Sequence, residues 1–351
     1  MDEAYIRGRA SLLSSLPIHN QITMIIKPLL SLVGLTAPSK NIWANTTNVI
    51  AFGDSYSYVL GTSGRQNYSF IGDYQNLGFS SQTLLNNKIV QSQTSTAEGG
   101  PNWLEHLTGC GVNAGTTSPL DCNIQLWDFA FAGADIGTQY TPRHKYFTVP
   151  LVNQTQQFLT YAQPALANIT TPESTLASFW IGTNDIFDTA TSTVPFKTVY
   201  TNMIATLFAS MQTIHDAGYR NFLVMNLAPL DKTPKNVLKR RPLPNTNMVN
   251  QFNSILANQA TAFQKKNADS NVALFDTNTF LNGVLKNPGQ YGIKNTTGFC
   301  AAWNQPNVVA NAGQYDCQPM EEYFWFNTAH LTTHVHEILA TEVQKFLSGS
   351  S

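Results

Sequence analysis

The sequence predicts an α/β fold built on a mostly parallel sheet of five strands with helices on both faces. Five short apolar runs, at 49–52, 127–132, 176–181, 222–226 and 272–275, are rich in β-branched and aromatic residues and have the length of buried strands. Segments of helix length, 155–167, 199–217 and 248–266, lie between them, and another, 334–347, closes the chain. Strands alternating with helices pair in parallel, because each parallel connection must cross the sheet and a helix is the usual bridge. Helices on both faces leave such strands apolar throughout.

The elements follow in order. The run 48–52 leads straight into Gly53-Asp54-Ser55-Tyr56, a serine-bearing turn just past a strand's C-terminal end, where open α/β sheets place their chemistry. Asp128-Phe129-Ala130-Phe131-Ala132-Gly133-Ala134 ends in small residues that let backbone approach a ligand closely. Trp180-Ile181-Gly182-Thr183-Asn184-Asp185 delivers another glycine, followed by an asparagine. In 199–217, Met203, Ile204, Leu207, Met211 and Ile214 keep close to a helical period, and Gly218 stands where a helix stops. Two regions fit no element: 60–125 and 277–325 are rich in Asn, Gly, Gln and Ser and hold all four cysteines. They read as long loops that shape the site, pinned locally by disulfides. Cys110 lies close to Cys122 and Cys300 close to Cys317, and pairing each with its neighbour is one of three possible connectivities.

Composition narrows the class. The chain has 351 residues, of which 42% are hydrophobic, enough for a large core. Charged residues are 12%, against a usual share of about 25%. The net charge of -1 argues against a nucleic-acid partner, which would want a basic patch. The one basic cluster, Lys232, Lys235, Lys239, Arg240 and Arg241, reads as a solvated face. Five Asn-x-Ser/Thr sequons, at Asn45, Asn67, Asn153, Asn168 and Asn295, together with the low charge and paired cysteines, point to a secreted, monomeric glycoprotein. Residues 24–37 have the pattern of a short secretory signal, so 1–37 is expected to be an N-terminal extension and 38–351 one domain. No later stretch is long and apolar enough to span a bilayer. The cysteines lack metal-site spacing, and His330 and His334, four apart, have no obvious third ligand, so no metal is expected.

Ester acyl transfer needs a nucleophile beside a base, a group that orients the base, and donors for the oxyanion. Ser55 is the candidate nucleophile and its N–H a candidate donor. Gly133 offers a second N–H, and the Asn184 amide offers a neutral, directional third. His330, in Asn327-Thr328-Ala329-His330-Leu331-Thr332 before the last helix, is the candidate base. Each block alone is ordinary turn sequence. In the order Ser, Gly, Asn, His, the chain resembles the GDSL-type, or SGNH, hydrolases from about residue 49 to 347. The stretches Gly100-Pro101-Asn102-Trp103-Leu104-Glu105 and Val224-Met225-Asn226-Leu227-Ala228-Pro229-Leu230 support the resemblance, which is strongest to the fungal acetylesterases of carbohydrate esterase family 16.

The resemblance implies a flavodoxin-like three-layer α/β/α fold. It also implies a Ser55–His330 pair with an oxyanion site at Ser55, Gly133 and Asn184, no cofactor, and small acetylated sugars or xylo-oligosaccharides as substrates. One position departs from the pattern: the family usually has an aspartate three residues before the histidine, and here that residue is Asn327. Its carbonyl oxygen can orient the imidazole without charge. A backbone carbonyl, Asp185, Glu321 or Glu322 stays open as the third member. Tyr56, Tyr58, Trp103, Trp180 and Trp325 lie near the motifs and are candidates for a sugar-facing platform, with Trp180 read as core. Two other functions stay open: a lipase or esterase of the same fold, and a catalytically weak glycan-binding protein.

Overall fold

The computed structural model describes residues 41–74 and 80–349. The extension and signal segment expected at 1–37 lie outside them. Five strands form the central sheet: β1 (Asn48–Gly53), β2 (Gln125–Asp128), β3 (Thr175–Trp180), β4 (Asn221–Met225) and β5 (Asn271–Phe275). All pair in parallel, in the order β2-β1-β3-β4-β5. This is the flavodoxin-like doubly wound order, with its reversal at β1. Every residue of β1 and β3 is buried, as expected of strands covered on both faces.

The helices fall into two packed groups. Helix α1 (Trp103–Thr108) packs on the C-terminal helix α7 (Thr333–Leu347). On the other side α2 (Leu151–Gln157) packs on α4 (Phe196–Asp216), which packs on α5 (Thr246–Lys266). Right-handed crossovers with this strand order put the β1-to-β2 connection on one face and the later connections on the other, which gives three layers. Two further helices, α3 (Thr183–Asp188) and α6 (Thr277–Lys286), follow β3 and β5.

The structure corrects several boundaries, each for a local reason. The run 127–132 is regular strand only to Asp128; beyond it the Phe129 and Phe131 N–H groups still donate to the Ala51 and Gly53 carbonyls of β1 (2.8 and 3.1 Å), while the Asp128 carboxyl accepts the intervening Ala130 N–H (2.8 Å). The helix expected from 155 begins at Leu151, after Pro150, and passes through a π turn at Phe158–Ala162 before Pro164, which lacks an N–H for the α ladder. The two regions read as loops contain more structure than expected. Residues 60–125 hold a small antiparallel sheet (Leu60–Gly61, Ile89–Gln91, Gly115–Thr117), the helix Ser81–Asn86 and α1, and 277–325 begins with α6. Except for α6, whose Phe280, Leu281, Val284 and Leu285 keep a helical spacing, these pieces are too short to show a period. They are set by caps such as Asn102, whose side chain accepts the Leu104 and Glu105 N–H groups while Glu105 answers the Asn102 N–H. The disulfides pair Cys110 with Cys122 and Cys300 with Cys317.

The end of β1 is held unusually tightly. The Gln154 side chain accepts the Gly53 N–H (3.0 Å) and donates to the Gly53 carbonyl (2.8 Å). A Cβ on Gly53 would lie 2.6 Å from the Trp180 carbonyl oxygen. Gly53→Ala is therefore expected to destabilise the fold by about 1–3 kcal/mol through backbone overpacking. In contrast, Gly283→Ala, on an exposed helix face with nothing nearby, should stabilise it by up to about 1 kcal/mol. Thermal midpoints of the two variants moving in the same direction would contradict this.

Candidate active site

Ser55 follows β1 on a turn fixed from several sides. The Asp54 carbonyl accepts the Ser57 and Tyr58 N–H groups, and the Asp54 carboxyl accepts the Tyr56 N–H (3.0 Å). Burial pushes that carboxyl up to about 7. Asn102 donates to the Ser57 and Tyr58 carbonyls (2.8 and 3.0 Å), and the Trp103 indole N–H donates to Ser57 Oγ (3.1 Å). The Gly-Pro-Asn-Trp stretch thus braces the serine turn from the α1 side. Across the turn, Tyr56 donates its hydroxyl proton to the Ala329 carbonyl (2.5 Å), tying the serine loop to the histidine loop.

The histidine loop is a tight hairpin: Trp325 pairs with Leu331, and the Phe326 N–H donates to the His330 carbonyl (2.8 Å). Thr332 then caps α7. Within it, Asn327 Oδ1 faces three donors, the Ala329 and His330 backbone N–H groups (3.0 Å each) and His330 Nδ1 (2.9 Å). Two backbone N–H groups aimed at one atom identify it as the oxygen, so the amide nitrogen points the other way, to the Ala97 carbonyl (3.4 Å). An acceptor at Nδ1 requires the proton there and leaves the Nε2 lone pair free. Nε2 lies 2.8 Å from Ser55 Oγ. The chain Ser55–His330–Asn327 therefore has the geometry and the tautomer to accept a hydroxyl proton.

The other groups considered at this position are engaged elsewhere. Asp185 accepts the Ile136 N–H with both oxygens (3.0 and 3.2 Å), and Glu322 pairs with Lys294 (2.5 Å). His334 bonds the Tyr291 carbonyl, and His336 accepts the Trp103 N–H at the α1–α7 contact, so neither faces Ser55.

Gly133 and Asn184 come to the same place. The Asn184 amide donates to the Ala134 carbonyl (2.9 Å). With Asp185 on Ile136, two consecutive side chains of α3 pin the turn after β2 and hold Gly133, at φ +81°, in the cleft that Ser55 lines. Among the described residues, the Ser55 and Gly133 N–H groups have no protein acceptor, and Asn184 keeps a second amide hydrogen. Ser55, Gly133, Asn184, Asn327 and His330 all line one cleft of about 600 Å³, within the usual size for a small-ligand site.

The electrostatics are unusual for a serine–histidine pair. Burial, and secondarily the nearby Lys235 ammonium, lower the His330 pKa to about 4. Lys235 is held close because its N–H donates to the Thr328 carbonyl (2.7 Å) and its ammonium lies over the Phe187 ring (4.8 Å). No carboxylate opposes this, since Asn327 stands where one would. The carboxylate-paired imidazole in the cleft is instead His144, whose Nε2 lies 2.6 Å from Asp188 and 4.0 Å from Asp135. The hydrogen bond to Asp188 raises its pKa. Sequence reading passed over His144 because nothing near it in the chain links it to the four blocks.

The aromatic platform expected from the sequence is corrected. Tyr56, Trp103 and Trp325 are buried core side chains, as is Trp180, which was read as core. Of the five, only Tyr58 lines the cleft, joined there by Tyr68, Trp303 and Phe326.

Residues 49–343 match the family model of GDSL-like lipases and acylhydrolases, and the chain belongs to that family. It is an esterase of this α/β class. Among curated relatives, it is 25% identical to an acetylesterase of Thermothelomyces thermophilus over 87% of this chain and 90% of the relative. It is 26% identical to an acetylesterase of Hypocrea jecorina over 86% and 89%. A thermolabile hemolysin of Vibrio parahaemolyticus is 25% identical over 65% of this chain and 52% of the relative.

A base with a lowered pKa must be neutral to act, so activity depending on His330 holds as pH falls through the ordinary imidazole range and drops only near pH 4. Asn327→Asp places a negative charge at Nδ1, favours the imidazolium and should move this acid limb to higher pH. The added charge-assisted bond should also raise the rate by up to about tenfold. A pH–rate profile of kcat/KM for the two proteins checks both. An acid limb unmoved by Asn327→Asp would show that Asn327 does not face the titrating group.

Proposed function

We propose that the protein is a secreted acetylesterase that removes acetyl groups from hemicellulose-derived xylo-oligosaccharides through an acyl-enzyme intermediate. The observation that carries this reading is the lining of the cleft. Its described residues offer aromatic rings (Tyr58, Tyr68, Trp303, Phe326) and side-chain amides and hydroxyls, but no valine, leucine, isoleucine or methionine. Rings and amides suit a sugar, which has a C–H face and many hydroxyls, whereas a long acyl chain would be matched by aliphatic side chains. The acetylesterase names of the two full-length relatives support the same substrate class.

In the proposed reaction Ser55 Oγ attacks the acetyl carbonyl as its proton passes to His330 Nε2. The Ser55 and Gly133 N–H groups and the Asn184 amide receive the oxyanion. As the tetrahedral intermediate collapses, the ester C–O bond breaks and His330 returns the proton to the sugar oxygen. Water then repeats the sequence on the acetyl-serine, with His330 as base, and releases acetate. Asn327 holds the imidazole in the Nδ1–H tautomer throughout, supplying orientation without charge. No step calls for a metal or organic cofactor.

Secretion, the monomeric state and glycosylation belong to the same proposal. The paired cysteines support secretion. Among the described residues no helix is long and apolar enough to cross a membrane. Asn45, Asn67 and Asn168 are exposed and accessible to a glycan, whereas Asn153 and Asn295 are half-buried.

The test is hydrolysis of 4-nitrophenyl acetate and 4-nitrophenyl octanoate, with acetate release from acetylated xylo-oligosaccharides. The expected result is an acetate preference that Ser55→Ala and His330→Ala abolish to a similar degree, because the two residues act as a unit. Octanoate preference would favour a lipid esterase, and hydrolysis indifferent to Ser55 would leave a glycan-binding protein.

A further inference from the structure

Trp303 is 37% exposed. Eight large apolar side chains among the described residues are exposed to this degree or more, and Trp303 alone of them lines the cleft. A tryptophan costs more to leave in water than almost any other side chain, so one left part-exposed in a cleft lined by rings, amides and hydroxyls invites a ligand face. Phe326 meets its ring edge-on (centroids 5.9 Å apart, planes at 70°), which fixes the indole from one direction.

The loop that carries it is built to hold still. Cys300 and Cys317 close it covalently, 17 residues apart. It has a small core of its own, separate from the main one, in which Cys300, Val308, Met320, Tyr323 and Phe326 pack together. The Gln93 amide donates to the Gln305 carbonyl (2.9 Å) and ties the loop to the segment that carries Gln93 and Thr94. Holding a large flat ring in place before binding removes an ordering cost that a free side chain would carry. Around it, Gln93, Thr94 and Asn304 supply hydroxyl and amide groups on the same cleft surface.

We propose that Trp303, with Gln93, Thr94 and Asn304, forms a pyranose-binding subsite in the cleft. The sugar's C–H face rests on the indole and its hydroxyls meet the amides. This subsite selects oligosaccharide esters over small acetate esters, and it rests on the acetylated-sugar reading above. It also gives the second disulfide a purpose beyond stability, since the bridge places the platform.

The test uses the Ser55→Ala protein, which leaves the ester intact. It is titrated with acetylated xylo-oligosaccharide while tryptophan emission is followed. The other described tryptophans are buried or half-buried, so Trp303 should report. The expected result is a saturable change in emission. A calorimetric Kd should rise about tenfold or more when Trp303→Ala is added and change far less with Trp303→Phe, which keeps a ring. In the protein retaining Ser55, Trp303→Ala should cost at least tenfold more in kcat/KM on the oligosaccharide than on 4-nitrophenyl acetate. Binding that is absent, or has the same Kd with and without Trp303, overturns the subsite. If the protein releases acetate from the oligosaccharide equally well without Trp303, the subsite fails while the acetylesterase reading stands. If the oligosaccharide binds through Trp303 but is never deacetylated, the subsite stands and the acetylesterase reading falls.

Discussion

The close approach of β1 and β3 at Gly53 is the constraint from which the site follows. Only a residue without Cβ fits against the Trp180 carbonyl, and Gln154 then fastens the same peptide from the helix side. Ser55 is thereby delivered between the turns that follow β2 and β3, which carry Gly133 and Asn184. The strand order places β1 between those two strands. A doubly wound sheet has a natural crevice where its order reverses, and this chain fills that crevice with a serine on a braced turn.

The second organising feature is the asparagine beside the histidine. Asn327 Oδ1 collects three N–H groups and so determines the imidazole tautomer by geometry alone. An aspartate would accept the same three donors, but its second oxygen would face the Ala97 carbonyl that the amide nitrogen now serves. The amide is thus matched to both neighbours, at the cost of a charge opposite the imidazolium. Burial and Lys235 act in the same direction on His330, so all the local influences favour a neutral base. The carboxylates of this region, Asp135 and Asp188, face His144 instead, across the cleft wall next to Gly133.

How much was legible depended on how local each signal was. The five strands and the long helices α4, α5 and α7 were readable because burial writes a repeating apolar pattern into contiguous residues. The four motif blocks were readable because a glycine, a serine and an asparagine at strand ends are local requirements of turn and ligand geometry. Helix α1 was hidden within loop-like sequence, because a helix of six residues is fixed by caps and tertiary packing more than by periodicity. Aromatic residues were the least legible: Trp103 and Trp325 lie next to motif residues in sequence yet face the core, while Trp303 lies in an Asn- and Gln-rich stretch and faces the cleft.

The sequence by itself determined the fold class, the order of the motif blocks and the local disulfide pairing as one of three choices. Each of these rests on residues near one another in the chain. The sequence offered Asn327 beside Asp185, Glu321 and Glu322 as partners of His330, and tertiary structure set Asn327 Oδ1 on His330 Nδ1 with Asp185 and Glu322 bonded elsewhere. Tertiary structure likewise decided that His144 and Trp303 line the cleft. The Ser55–His330 and His144–Asp188 contacts join residues 275 and 44 positions apart, governed by which strand lies next to which and which loop is pinned over them. No pattern within a short window can carry that information.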